Sequence, residues 1–151
     1  MSIMLPRALE KICFNKVFGR QMRFIADPRQ VGKTTPAKNF LAGRGGSPLY
    51  YNWDQREIRQ RYRKDPYFFH SDSLGQKTRG KDWVCLNEIH KYPKWKNILK
   101  DYFDSYEGQF QFIITGSARL DLFRKSGDAL TGRYFLFLLL PLSLFEVWKK
   151  S

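Results

Sequence analysis

Met22-Arg23-Phe24-Ile25-Ala26, followed at once by Asp27-Pro28-Arg29-Gln30-Val31-Gly32-Lys33-Thr34, is the stretch on which the reading of this chain turns. The first five residues form a short apolar run, the signature of a buried strand. Lys33 to Ala42 reads as a helix, stopped by Gly43 and Gly45-Gly46. The eight residues from Asp27 to Thr34 obey the spacing G-x-x-x-x-G-K-[ST] at every fixed position but the first, where Asp27 stands for glycine. Each residue type has a chemical reason. Gly32 has no Cβ to keep the backbone from phosphate oxygens. The loop N–H groups and the helix N-terminus present partial positive charge. Lys33 is long enough for the outer phosphates, and the Thr34 hydroxyl is a magnesium ligand.

Asp27 departs from that chemistry. Aspartate tolerates unusual backbone angles better than most residues, so the turn can survive. A carboxylate pointing inward is another matter. At about 5 Å from a phosphate and an effective dielectric of about 20, repulsion is roughly 3 kcal/mol. Pro36 falls in the first turn or so of the helix, where proline is tolerated.

Moving outward, apolar runs and helical patterns alternate. Arg7 to Phe14 reads as a short helix and Pro48 to Trp53 as a second strand. Asp54 to Lys64 reads as a charged helix with Asp54 as N-cap. Asp72 to Gly80 is loop-like, and Asp82 to Ile89 contains a third strand. Pro93 to Tyr106 is amphipathic, with Trp95, Ile98, Leu99, Tyr102 and Phe103 on one face. Phe110 to Thr115 is a fourth strand, Ala118 to Phe123 a short helix, and Arg133 to Leu140 a fifth strand before Pro141. Strands alternating with helices imply parallel β-α-β units. Continuous apolar runs, rather than alternating ones, imply a sheet covered on both faces.

The 151 residues suit one domain, and a 42% hydrophobic, 17% aromatic composition can build its core. Lys and Arg outnumber Asp and Glu by 27 to 14, a formal charge of +13 that points to anionic partners. Pro6, Arg7, Glu10 and Lys11 interrupt any secretory leader, and no apolar run approaches membrane-span length. Cys13 and Cys85 lack metal-ligand spacing, and a reduced, cytoplasmic setting fits them.

Two further strand ends carry polar groups. Val84-Cys85-Leu86 leads into Asn87-Glu88, where phosphate-hydrolysing proteins commonly place Asp-Glu. Asn87 can accept a hydrogen bond from a magnesium-bound water but carries no charge, whereas Glu88 keeps its carboxylate. Ile114-Thr115-Gly116-Ser117 puts Thr115 and Ser117 where a polar group reaches a γ-phosphate or attacking water. A helix N-cap at Ser117 is the alternative.

Taken in order, Arg29-Gln30-Val31-Gly32-Lys33-Thr34-Thr35, Asn87-Glu88-Ile89-His90-Lys91, Ile114-Thr115-Gly116-Ser117-Ala118-Arg119-Leu120 and Gly132-Arg133-Tyr134 resemble a family. They are similar to the motifs GPRQVGKTT, LDEIHK, ITGSARL and GRY or GRF of the prokaryotic AAA-type P-loop ATPase core. The resemblance spans nearly the whole chain. It implies an α/β P-loop NTPase fold of the AAA (ASCE) type, a three-layer sandwich around a mostly parallel five-stranded sheet of order 5-1-4-3-2. It implies ATP and Mg2+ as cofactors, with Asp27, Pro28, Arg29, Gln30, Val31, Gly32, Lys33, Thr34, Thr35 and Ser117 around the nucleotide. Thr34 and Asn87 would face the metal, Lys33 would stabilise charge, Glu88 would activate water, and Arg133 would be a finger or sensor arginine or a structural ion pair. Asp27 and Asn87 depart from the pattern, so impaired hydrolysis is expected. Relatives usually continue into a C-terminal domain, so residues 1–151 are expected to be the core of a truncated copy, with Phe135 to Phe145 as the apolar docking segment for a protein partner.

The alternative function is a basic nucleic-acid or protein-binding module, or a non-functional remnant, that no longer uses nucleotide. Arg56, Arg59, Arg61, Arg63 and Lys64, with Tyr62 and Tyr67 as stacking groups, would form the nucleic-acid face; a solvated helix explains the same charges. His90 and His70 converge with no metal set.

Overall fold

The computed structural model describes residues 14–27, 35–44, 47–75, 80–117 and 130–138. Residues 28–34 of the phosphate loop lie outside these. So do the expected helix at 118–123, all of the expected helix at 7–14 except Phe14, which lies in a turn, Cys13, and everything from 139 onward.

A 3-10 turn, Lys16–Phe18, precedes strand β1, Met22–Asp27. Helix α1 (Thr35–Gly43), strand β2 (Leu49–Asn52), helices α2 (Arg56–Lys64) and α3 (Phe68–Ser73), and strand β3 (Asp82–Asn87) follow. A second 3-10 turn, Ile89–Lys91, leads to helix α4 (Trp95–Tyr106), then strands β4 (Phe110–Ser117) and β5 (Tyr134–Leu138). The five strands form one all-parallel sheet in the order β2-β3-β4-β1-β5, which is the expected 5-1-4-3-2 order read from the other edge.

Alternation along the strands sorts the core into two layers. Met22, Phe24, Tyr51, Leu86, Phe112 and Ile114 face one side, where Ile58, Phe68, Phe69, Leu99 and Tyr102 of α2, α3 and α4 cover them. Ile25, Cys85 and Ile113 face the other, under Ala37 and Leu41 of α1. This split follows from right-handed crossovers. The chain runs one way across the sheet from β1 to β2 and the opposite way from β2 through β4, so the connecting helices fall on opposite faces. Filling both faces is why the strands carry almost unbroken apolar sequence.

Two local readings need correction. Asp54 is not a helix cap: α2 starts at Arg56 after Gln55, with no side-chain cap, and Asp54 is instead paired with Lys91 at 3.2 Å. The stretch from Asp72 is not loop throughout, because α3 extends to Ser73; Ser73 Oγ donates to the His70 carbonyl over 2.7 Å. The third strand lies within the expected 82–89 and ends at Asn87, where Glu88 adopts a left-handed conformation (φ 62°).

Candidate functional site

Parallel strands in register bring their carboxyl ends to one edge. Asn52 pairs with Asn87, Asn87 with Thr115, and Asp27 with Ser117. In open α/β sheets ligands bind outside such carboxyl ends, where the strand order reverses. Here that reversal lies at β1, whose neighbours are β4 and β5. The loop bearing Pro28, Arg29, Gln30, Val31, Gly32, Lys33 and Thr34 leaves the sheet from β1 at this edge. Its own residues are outside the described set, as are the side chains of Asp27, Thr35 and Ser117.

Asn87 is the centre of a polar chain. Its Oδ1 accepts from the Thr115 hydroxyl at 2.8 Å, and its Nδ2 donates to Asn52 Oδ1 at 3.2 Å. Asn52 Oδ1 also accepts from the Asp54 backbone N–H at 3.1 Å. Thr115 has no exposure and Asn87 only 5%, so the bond between them forms away from bulk water, where leaving it unmade is costly. The sequence marked Thr115 as a phosphate contact; its hydroxyl is engaged by Asn87. Asn52 was missed, although a polar residue ending an apolar strand is a signal available in Tyr50-Tyr51-Asn52.

Glu88 sits beside this chain. Its backbone N–H donates to the Thr115 carbonyl at 2.8 Å, extending the β3–β4 ladder by one step. The left-handed turn then folds Ile89–Lys91 back, so that His90 Nε2 lies 3.5 Å and Lys91 Nζ 3.4 Å from Glu88 Oε2. Glu88 is 3% exposed. Lys91 also holds Asp54, whose hydrogen bond is the main reason the ammonium binds its proton more tightly than usual, with the Glu88 charge adding to it. His90 and Lys91 therefore flank the general-base candidate, with Asp54 on the far side of Lys91, a grouping that sequence order alone hides.

Arg133 is at the opposite end of the sheet. Its carbonyl accepts from the N–H of Met22, the first residue of β1, about 17 Å of strand from Asp27 at ~3.3 Å per residue. Its guanidinium grips Asp104 of α4 with two bonds, of 2.9 and 3.3 Å, and chiefly for that reason the Asp104 carboxyl is more acidic than normal.

The basic stretch on α2 is divided. Arg61 binds Asp72 at 2.8 Å and lies over the Phe68 ring, and Arg59 donates to the Trp53 and Asp54 carbonyls. Tyr62 packs on Trp53 and Tyr92, and Tyr67 donates to Asp101 at 2.6 Å. The proposed stacking groups are thus engaged in the fold, leaving Arg56, Arg63 and Lys64 exposed. The apolar C-terminal segment begins as β5, an edge strand with Phe135 40% exposed; the remainder lies outside the described residues.

The strand edge is where a ligand lies in an open parallel sheet. For magnesium the described donors fit less well. A neutral amide, already accepting one hydrogen bond, stands where a carboxylate is favoured, and the nearby carboxylate of Glu88 lies against the Lys91 ammonium and the His90 ring. Among the described residues no cluster of three or more His, Cys, Asp or Glu could hold a metal, and no helix is long and apolar enough to cross a membrane.

No curated protein matches the chain. A family profile described as AAA domain matches residues 19–148, most of its length, and with the parallel sheet and the order of its strands this means that the chain belongs to the AAA domain family.

Proposed function

We propose that this chain is an ATP-binding, cytoplasmic AAA-type domain whose hydrolytic step is impaired. The observation that carries the reading is the buried Thr115–Asn87–Asn52 chain at the carboxyl edge of the sheet. A neutral amide is built into the bonding there, donating on one side and accepting on the other, a pattern a carboxylate cannot reproduce.

Residues 28–34 would cradle the nucleotide, with Thr35, Asp27 and Ser117 at its border. Lys33 would place its charge at the outer phosphates and Thr34 its hydroxyl at the metal. Magnesium, when bound, neutralises phosphate charge. Glu88 would orient the attacking water, but in the conformation observed its carboxylate lies against His90 and Lys91. Binding thus needs only the loop, whereas turnover also needs Glu88 to leave those two side chains. Arg133 is kept out of a single-chain mechanism by its position at the far end of β1.

The test is calorimetric ATP binding and turnover in the natural chain and in Asp27→Gly/Asn87→Asp. ATP should bind the natural chain with little turnover, and the double variant should bind more tightly with magnesium and turn over faster. A folded natural chain and a folded double variant that both ignore ATP would overturn the reading.

A further inference from the structure

At the end of the sheet opposite the nucleotide loop, on the face covered by α1, the structure holds a cavity of about 610 Å³. Volumes of this order are typical of small-molecule sites. Lys16, Arg23, Arg44 and Lys81 contribute to its walls, together with Phe40 and Trp83, and none of its described lining residues is acidic. Arg23 and Trp83 are each the second residue of their strand, so about 13 Å of strand separates Arg23 from Asp27.

The cavity is firmly built. Arg23 is only 1% exposed. Its guanidinium donates to the carbonyls of Gly19 at 2.9 Å, Asn15 at 3.1 Å and Gln21. The Trp83 ring lies 5.5 Å from the Arg23 guanidinium and 5.7 Å from that of Arg44, with Phe40 against it at 4.7 Å. Arg44 in turn donates to the Lys81 carbonyl at 3.0 Å. Arginine keeps its charge at any working pH, so a buried guanidinium is a permanent cation. Cations converging in a concave, partly apolar space focus a positive potential into it. The aromatic walls offer apolar contact to whatever carries the negative charge.

We infer that this cavity is a second binding site, for a small organic phosphate: a dianionic phosphate group facing Lys16, Lys81 and Arg44, with the buried charge of Arg23 behind them, on a compact apolar or aromatic body. It is distinct from the nucleotide loop and does not depend on the function proposed for that loop. It also gives part of the +13 charge a destination that the nucleotide's phosphates do not.

The probe is 1-naphthyl phosphate, titrated into the whole chain by calorimetry. One saturable site is expected, weakening as salt rises, at least tenfold weaker in Lys16→Glu/Lys81→Glu and unchanged in Lys33→Ala. Inorganic phosphate and 1-naphthol, each carrying half of the chemistry, should bind at least tenfold more weakly. Lys81 Nζ donates to the Glu107 carbonyl, so if the double variant loses its circular dichroism signal, Lys16→Glu alone is read, and several-fold weakening is required of it. The inference is overturned by any of four results: no saturable binding to the natural chain, undiminished binding in the folded charge variant, 1-naphthol binding equal to its phosphate, or loss of binding in Lys33→Ala, which would assign the anion to the loop.

Discussion

The Thr115 hydroxyl donates to the Asn87 amide oxygen over 2.8 Å, tying the carboxyl ends of β4 and β3 together through side chains as well as backbone. Asn87→Asp keeps that bond but removes the donor to Asn52 Oδ1, setting two acceptors against each other at about the present 3.2 Å. It also places a charge at a site 5% exposed. A loss of about 1–3 kcal/mol in stability is expected, measured by urea denaturation. The same variant should make nucleotide affinity more dependent on magnesium, because a carboxylate suits that ion better. An Asn87→Asp protein as stable as the natural one would mean that the polar chain contributes nothing.

Much of this fold was legible because the middle stretches of the three central strands are fully buried. Phe24-Ile25-Ala26, Val84-Cys85-Leu86 and Phe112-Ile113-Ile114 must satisfy two covering layers at once, so their apolar character is unbroken and their positions are plain. Side-chain partnerships that cross elements were not legible. Asp54 has the composition of a helix cap, but Lys91, far along the chain, holds its carboxylate. Arg23 interrupts an apolar strand as a surface residue would, yet three backbone carbonyls and two aromatic rings bury it. At the candidate site the strand-end residues could be read from motif spacing. The left-handed turn at Glu88, which brings His90 and Lys91 onto its carboxylate, could not, because a glutamate carries no sequence signal for positive φ.

Arg133 and Asp104 form a two-bond ion pair with the arginine 26% and the aspartate 40% exposed. Solvent screening limits such a pair to about 0.5–1 kcal/mol. Arg133→Ala and Asp104→Ala should each destabilise by no more than that, and a double-mutant cycle should show a coupling of the same size. ATP affinity should stay within about twofold in both. A selective loss of nucleotide binding or turnover in Arg133→Ala, absent from Asp104→Ala, would give the arginine a role beyond the ion pair.

Asp72 accepts from Arg61 Nη2 and from the Tyr51 hydroxyl, each at 2.8 Å, and the Arg61 bond is the main reason its carboxyl is more acidic than the usual 3.8. A carboxyl with a depressed folded pKa stabilises the protein above its unfolded pKa and loses that contribution as pH falls through the folded value. Asp72→Asn should therefore cost stability near neutral pH, and the gap to the natural chain should narrow below 3.8. Both partners are about a third exposed, so screening keeps the effect below about 1 kcal/mol, and added salt should shrink it. Denaturation curves at about pH 6 and about pH 3 decide this; a gap that widens in acid contradicts the assignment.

Tyr102 has no exposure and donates its hydroxyl to the Pro66 carbonyl at 2.6 Å, with its ring on Phe69 and Phe112. Burial is the main cause of its strongly raised pKa, so it stays neutral and donates throughout the accessible pH range. Tyr102→Phe leaves the ring packing intact and removes the donor, for an expected cost of about 1–2 kcal/mol. Tyr102→Ala also opens a cavity between α4 and the sheet, for about 3–5 kcal/mol. The difference between the two variants measures packing separately from the hydrogen bond, and equal losses would show that the hydroxyl carries the whole effect.

Cys85 lies on β3 under α1 with no exposure, and burial pushes its thiol up to about 12, against a smaller opposing effect of the Thr115 hydroxyl 3.8 Å away. The thiolate is the reactive form, so the native protein should resist alkylation at this residue. In a Cys13→Ser background, iodoacetamide at about pH 8 should label Cys85 only as fast as the sheet opens. Labelling should then accelerate in urea in step with unfolding. Because Cys85 hydrogen-bonds the same Thr115 that holds Asn87, its labelling rate also reports on the candidate site. Nucleotide that tightens the strand edge should slow it in proportion to occupancy, and Lys33→Ala should abolish that protection. Rapid labelling of the folded chain without denaturant would contradict the buried position of β3.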